Sequence, residues 1–209
     1  MKIINVLCIM LISASTTLAN DWKSLFDGTS LEGWKASEVQ GVFTIIDDNI
    51  LKVDGGRSHL FWMGSDSIPA EFTNFEFSAQ VKTTPGSNSG IFFHTQYQET
   101  GWPKQGYEAQ VNSTHKDKRK TGSIYAVKDV ENVSPSTDGE WFDYLIRVQG
   151  KTVTISVDGK VVNEYTEPTD LQPEEKFKNR RLGTGTFAIQ GHDPKSITYY
   201  RDIKVRELK

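Results

Sequence analysis

The 209-residue chain is predicted to fold as an all-β sandwich of two antiparallel sheets, on three observations. Short runs rich in β-branched and aromatic residues recur at regular spacing, bounded by Gly, Pro, Asn and Asp. Two of them, Phe75–Lys82 and Phe142–Gln149, alternate apolar and polar residues with the period of a half-buried strand. No segment carries a long apolar period of 3.6.

The mature chain opens with two turn signals, Leu25-Phe26-Asp27-Gly28 and Leu31-Glu32-Gly33-Trp34. Val42–Ile46 and Ile50–Val53 are β-branched strands joined by Asp47-Asp48-Asn49, a hairpin. His59–Met63 is a further apolar strand. Phe75, Phe77, Ala79 and Val81 form the inward side of the next, which Pro85-Gly86 ends. Asn88-Ser89-Gly90 is a turn feeding Ile91-Phe92-Phe93-His94. Tyr97–Lys104 is a loop, and Gly106-Tyr107-Glu108-Ala109-Gln110 a neighbouring strand. Asn112–Gly122 is a basic loop, Ser123–Val127 a strand, and Asp129–Gly139 irregular. Trp141–Tyr165 reads as a three-stranded meander, with Gly150-Lys151 and the tight-turn pair Asp158-Gly159 at its corners. Glu167–Arg181 is a charged loop. Thr186–Gln190 and Thr198–Leu208 are the last strands, the latter with Tyr199, Arg201, Ile203 and Val205 expected on one face.

Composition narrows the function. The net charge of -3 carries no nucleic-acid footprint. Lys2, the short apolar run Ile3–Ile12 and the small residues up to Ala19 read as a signal peptide over residues 1–19, ahead of one β-sandwich domain over 20–209. Export to a periplasm or the medium is expected. No later run could span a membrane. The one cysteine, Cys8, lies in this leader, so the mature chain has no thiol chemistry.

The chemistry centres on Glu108. Alternation puts Tyr107, Ala109 and Val111 on one face of its strand, and Glu108 and Gln110 on the other. Phe92 and His94 share a face of the preceding strand, so pairing would bring His94 to Glu108. A carboxylate beside an amide, flanked by Trp102 and Tyr125, suits a sugar site; the same residues also suit the solvated face of a sheet. Retaining glycosidases place two carboxyl groups about 5 Å apart, whereas the neighbours of Glu108 on its own face are Gln110 and Asn112. No zinc signature is present. His59, His94, His115 and His192 are not spaced as a local metal pair, although His192-Asp193 could join Glu108 or His94 by long-range convergence. Gly86-Ser87-Asn88-Ser89-Gly90 fails as a nucleophile elbow, since its centre is Asn88.

An ordered set of short motifs spans nearly the whole mature chain: Leu25-Phe26-Asp27-Gly28, Asn74-Phe75-Glu76, Asn88-Ser89-Gly90-Ile91-Phe92-Phe93, Gly106-Tyr107-Glu108-Ala109-Gln110, Thr121-Gly122-Ser123-Ile124-Tyr125, Gly139-Glu140-Trp141, Asp158-Gly159-Lys160, Gln190-Gly191-His192-Asp193-Pro194 and Tyr200-Arg201-Asp202-Ile203. In this order they resemble the 3-keto-disaccharide hydrolase family. The resemblance implies a concanavalin A-like jelly roll and a glycoside or disaccharide substrate already oxidised at C3 by a separate dehydrogenase. It also implies cleavage by proton abstraction at C2, elimination at C1 and rehydration. Glu108 or His94 would be the base, and His192, Arg201 or a divalent cation would polarise the keto oxygen. Gln110 and Tyr125 would orient hydroxyls, and Trp102 would stack on a sugar ring. Two positions depart from the family pattern: His94 stands where arginine is common, and Val111-Asn112-Ser113 where Ile-Leu-Asp is common. A carbohydrate-binding module without chemistry and an ordinary glycoside hydrolase are the competing classes.

Overall fold

A computed structural model describes residues 21–46, 49–173 and 175–209. Its strands are β1 (Lys23–Ser24), β2 (Trp34–Ala36), β3 (Phe43–Ile46), β4 (Ile50–Asp54), β5 (Ser58–Trp62), β6 (Phe75–Thr83), β7 (Ser89–Thr95), β8 (Tyr107–Val111), β9 (Phe142–Gln149), β10 (Thr152–Val157), β11 (Lys160–Thr166), β12 (Thr186–Gly191) and β13 (Ile197–Glu207). They form two antiparallel sheets. The larger runs β11-β10-β9-β6-β13-β4-β3, with β1 paired to β13; the smaller runs β2-β5-β12-β7-β8. Among the described residues the only helical pieces are two three-residue 3-10 turns.

The core fills the space between the sheets. Phe75, Phe77, Tyr144, Ile146 and Tyr200 come from the larger sheet, and Leu60, Ile91, Phe93, Tyr107, Phe187 and Ile189 from the smaller. Phe187 sits centrally, its ring 4.8 Å from both Phe75 and Phe77 and 5.0 Å from Phe72. Burying each such ring contributes about 2–3 kcal/mol, which holds the smaller sheet against the larger.

Most predicted strands occur as expected. Asp158-Gly159 forms the tight turn between β10 and β11, both residues at positive φ, as a turn matched to strand twist requires. Two details differ. Ser123–Val127 is not a strand; Ile124 makes isolated bridges to Ala109 and Lys128, and Ala126 turns the chain at φ 58°. β13 carries a bulge between Arg201 and Lys204, with Asp202 at φ 52°. The extra residue swaps faces, so Tyr200, Ile203 and Val205 point inward while Tyr199 and Arg201 lie outside the core. β3 and β4 pair as a hairpin, but residues 47–48 of its turn, like the leader at 1–19, lie outside the described residues.

Candidate functional site

The smaller sheet presents the site on the face turned away from the core. Its strands come from distant parts of the sequence, and their registers place side chains in two adjacent rows. One row runs Phe61, Ala188, Phe92, Glu108; the next runs His59, Gln190, Gly90, Gln110. Over this floor lies a cavity of about 510 Å³ lined by Asn88, Phe92, Trp102, Pro103, Lys104, Glu108, Gln110, Tyr125, Phe177, Arg180, Gln190 and His192. Among the described lining residues, Glu108 is the one carboxylate.

Glu108 is held by its two flanking amides. Gln190 Nε2 donates to Glu108 Oε1 at 2.8 Å. With the Gln110 amide oriented to satisfy its neighbours, its nitrogen donates to the same oxygen at 3.2 Å and to the Ser89 carbonyl at 3.0 Å. Between the amides lies Gly90. A Cβ placed on it would stand 2.9 Å from Glu108 Cγ, 3.1 Å from Cδ and closer still to Oε1, so the carboxylate leans into space that only glycine leaves open. Glu108 is 7 % exposed. Burial pushes its carboxyl up to about 7, against the opposing pull of Arg180 and the Gln190 bond. Such a group is half ionised at neutral pH and can take or give a proton.

The walls come from loops that the sheet anchors. Tyr125 is set beside Glu108 because its N–H donates to the Glu108 carbonyl (2.9 Å) while Gln110 N–H donates to Ser123 O. Arg180 Nη1 donates to Tyr125 O at 2.8 Å, and its guanidinium covers the Phe177 ring at 4.2 Å. Burial lowers the Arg180 pKa, and the charge of Glu108 works against that. Its loop is tied down by buried Glu167, which accepts from Tyr107 Oη–H and Leu182 N–H, both at 2.7 Å, and pairs with Lys151 at 2.8 Å. Gln98 organises the opposite loop: its amide nitrogen donates to the Thr100 and Trp102 carbonyls, and its oxygen accepts from Lys104 N–H. Trp102 is thereby held 42 % exposed at the rim, 5.4 Å from the His192 ring.

His192 Nδ1 lies 2.8 Å from Asp193 Oδ2. Burial raises the Asp193 pKa, but hydrogen bonds from Ser196, His192 and Lys195 overcome it and hold the group at about 2. An ionised carboxylate fixes the imidazole proton on Nδ1 and leaves Nε2 as an acceptor. His115, His192 and Asp193 bring one ligand atom each within 4.8 Å of one another; the convergence expected was with Glu108 or His94, and neither belongs to this group. Two of these groups already accept hydrogen bonds. His115 Nδ1 accepts from Asp117 N–H at 3.1 Å, and the Asp193 oxygens accept from Ser196 and Lys195. The three therefore suit a hydrogen-bonded dyad with a neighbour better than a cation cage.

The structure thus brings together Glu108, Gln110, Tyr125, Trp102 and His192. It does not bring His94 or Arg201. His94 takes φ 55° at the end of β7, where the register against β12 slips, and this bulge turns its ring out of the alternation. Gly183 N–H donates to His94 Nδ1 at 3.1 Å, Nε2 lies 2.9 Å from Thr73 O, and the ring meets Phe75 edge-on at 5.5 Å. Both nitrogens are used, and burial lowers its pKa. Arg201 is on the larger sheet, donating to Gln80 Oε1 at 2.7 Å with its guanidinium 4.2 Å from the Trp141 ring. Sequence reasoning missed Arg180, Phe177, Lys104, Asn88 and Gln190. Gln190 was within reach, since it shares the outward parity of a strand that had been recognised. Arg180 was not, because nothing local distinguishes one cation in a charged loop.

Comparison with known proteins bears on family and fold. The family profile described as "3-keto-alpha-glucoside-1,2-lyase-like domain" matches residues 21–206. A curated relative from Bacteroides thetaiotaomicron, a 3-keto-disaccharide hydrolase, is 29 % identical over 91 % of this chain and 79 % of its own length. Among solved structures, a Parabacteroides distasonis chain provisionally named a glycosyl hydrolase superposes with a TM-score of 0.76 at 21 % identity, covering 91 % of this chain and 95 % of that one. The carbohydrate-binding module CBM66 from Bacillus subtilis superposes at 0.59 with 12 % identity, covering 84 % and 96 %. These two likenesses establish the jelly-roll fold.

Proposed function

The chain belongs to the 3-keto-α-glucoside-1,2-lyase-like family, and from that premise we propose that it cleaves glycosides or disaccharides carrying a ketone at C3, with Glu108 as the base. A C3 ketone acidifies the C2 proton because the carbanion formed is an enolate. Glu108 takes that proton, Arg180 stabilises the charge developing on the keto oxygen, and the aglycone oxygen leaves C1. In the second half-reaction water adds at C1 of the enone, its proton passing by way of His192 Nε2 to the departed aglycone oxygen, while Glu108 returns the first proton to C2. The net result is hydrolysis without an oxocarbenium ion. Gln110 and Tyr125 orient hydroxyls, and Trp102 covers one face of the ring. Arg180 takes the place first given to Arg201.

The observation that carries this reading is a single carboxylate, among the described residues of the cavity, poised at about 7. Ordinary glycosidases use two carboxyl groups, whereas proton abstraction beside a carbonyl uses one base and an enolate stabiliser. The leader and the oxidised substrate extend the proposal: the protein is exported to the periplasm or medium, and a separate dehydrogenase supplies the ketone. No described helix is long and apolar enough to cross a membrane.

The test compares a C3-oxidised disaccharide with its unoxidised parent, using wild type and Glu108→Gln. Cleavage of the oxidised sugar alone, abolished in the variant, supports the proposal. Cleavage of the parent supports an ordinary glycosidase, and binding without cleavage a carbohydrate-binding module. Turnover retained by Glu108→Gln removes Glu108 from the chemistry.

A further inference from the structure

His59 is fully buried on β5, and neither ring nitrogen has a partner. Directly opposite it on β12 is Gln190, whose Oε1 is also buried and unpartnered while its Nε2 holds Glu108. Unmade hydrogen bonds on buried polar atoms are costly. Three such atoms on one cross-strand pair, a single residue from the candidate base, therefore call for an explanation. The surroundings would suit a hydrocarbon. The His59 ring packs edge-on against Phe92 at 5.4 Å and Trp102 at 5.5 Å, and against Phe61 at 6.1 Å. An aromatic or aliphatic residue would fill the place with nothing left unpaired.

We infer that His59 is a positioning residue for Glu108, acting through the Gln190 side chain. Cross-strand partners have Cβ atoms about 5 Å apart, so modest side-chain rotation brings a ring N–H of His59 onto Gln190 Oε1. The amide then has its oxygen held on one side and its nitrogen aimed at Glu108 on the other. A neutral imidazole offers one donor and one acceptor, and burial pulls His59 down to about 4, so it stays neutral where Glu108 titrates. This matters because Glu108 alternates between two forms during a proton-transfer cycle. As a carboxylate it wants the amide N–H; as an acid it can donate to the amide oxygen. His59 can donate to Oε1 in the first arrangement and accept from Nε2 in the second, which an apolar side chain cannot do. The titratable groups around His59 are Glu38 and Arg57, paired with each other at 2.7 Å, and His192. Those around Glu108 are Arg180, Asp117 and Arg119.

The inference rests on Glu108 being the base, and the test separates the two. His59→Phe keeps the volume and removes both nitrogens. Expected are an acidic limb of the kcat profile moved up by about one pH unit, as the Gln190 bond that lowers the Glu108 pKa loosens, and a roughly tenfold fall in kcat with KM within twofold. His59→Gln, which can still donate to Gln190, restores kcat to within about threefold. A purely structural histidine would lower Tm and leave the profile in place, and that result overturns the inference. Should His59→Phe fail to fold, nitrogen-15 NMR of the wild type decides: a His59 ring N–H protected from exchange, and lost in Gln190→Leu, supports the pairing, and its absence refutes it. An unmoved profile alongside an inactive Glu108→Gln rejects the role of His59 alone, whereas an active Glu108→Gln rejects the base assignment.

Discussion

Replacing Gly90 by alanine adds one methyl group and aims it at the candidate base. The backbone there lies outside the left-handed region, so alanine meets no conformational strain. What it meets is Glu108, with Cγ at 2.9 Å and Cδ at 3.1 Å, where ordinary carbon contacts begin at about 3.5 Å. The side chain must withdraw by something near 1 Å at its far end. Displacement costs little stability, because the obstructing atoms terminate a side chain, and the lower entropy of an unfolded chain bearing alanine returns about 0.4–1 kcal/mol. For catalysis the account differs. A 1 Å misplacement of a reacting group costs on the order of 100-fold, or about 2.7 kcal/mol of activation free energy, and the 2.8 Å bond from Gln190 is strained in the same movement. The variant should melt within a few degrees of wild type and lose about two orders of magnitude in kcat/KM on a 3-keto-disaccharide. Activity within threefold of wild type would refute the argument that this glycine exists to seat the carboxylate.

Other outcomes follow from the same geometry. Moving Glu108 from an ordinary 4.5 to about 7 on folding corresponds to about 3 kcal/mol. The penalty is absent below pH 4.5, grows as pH rises to 7 and is complete above it, so Glu108→Gln should be more stable than wild type by up to that amount at pH 8 and equal to it at pH 4; denaturant unfolding at the two pH values measures the gap. His94→Ala should cost about 2 kcal/mol through a cavity and lost hydrogen bonds, with kcat/KM unchanged within threefold; a collapse of kcat without loss of stability would return His94 to the chemistry. Glu167→Ala should loosen the loop bearing Arg180, lowering kcat about tenfold in steady-state kinetics at temperatures where the fold is intact.

Period-two patterning made the two sheets legible, because burial between them leaves an alternating trace in strands such as Phe75–Thr83. The same parity put Glu108 and Gln110 on the site face correctly. It failed where one residue breaks the count. The bulge at Asp202 reversed the faces expected along β13, and the positive φ of His94 turned that ring from the cavity into packing against Phe75. Neither residue is glycine, so no composition signal announced the slip. Arg180 escaped for another reason. Its place depends on Glu167 holding a long loop against Tyr107, a contact between segments 60 residues apart that no local pattern encodes.

The floor beneath the base is assembled from positions 59, 190, 90 and 110, side by side across four strands. A chain emerging from a ribosome cannot complete that arrangement until its last fifth is available, because β12 must slot between β5 and β7, which sit far upstream. Topologies of this kind fold slowly, as distant loops are closed before any pairing rewards them. Catalytic competence should accordingly arrive together with the final cooperative step of refolding, with no partly active intermediate before it.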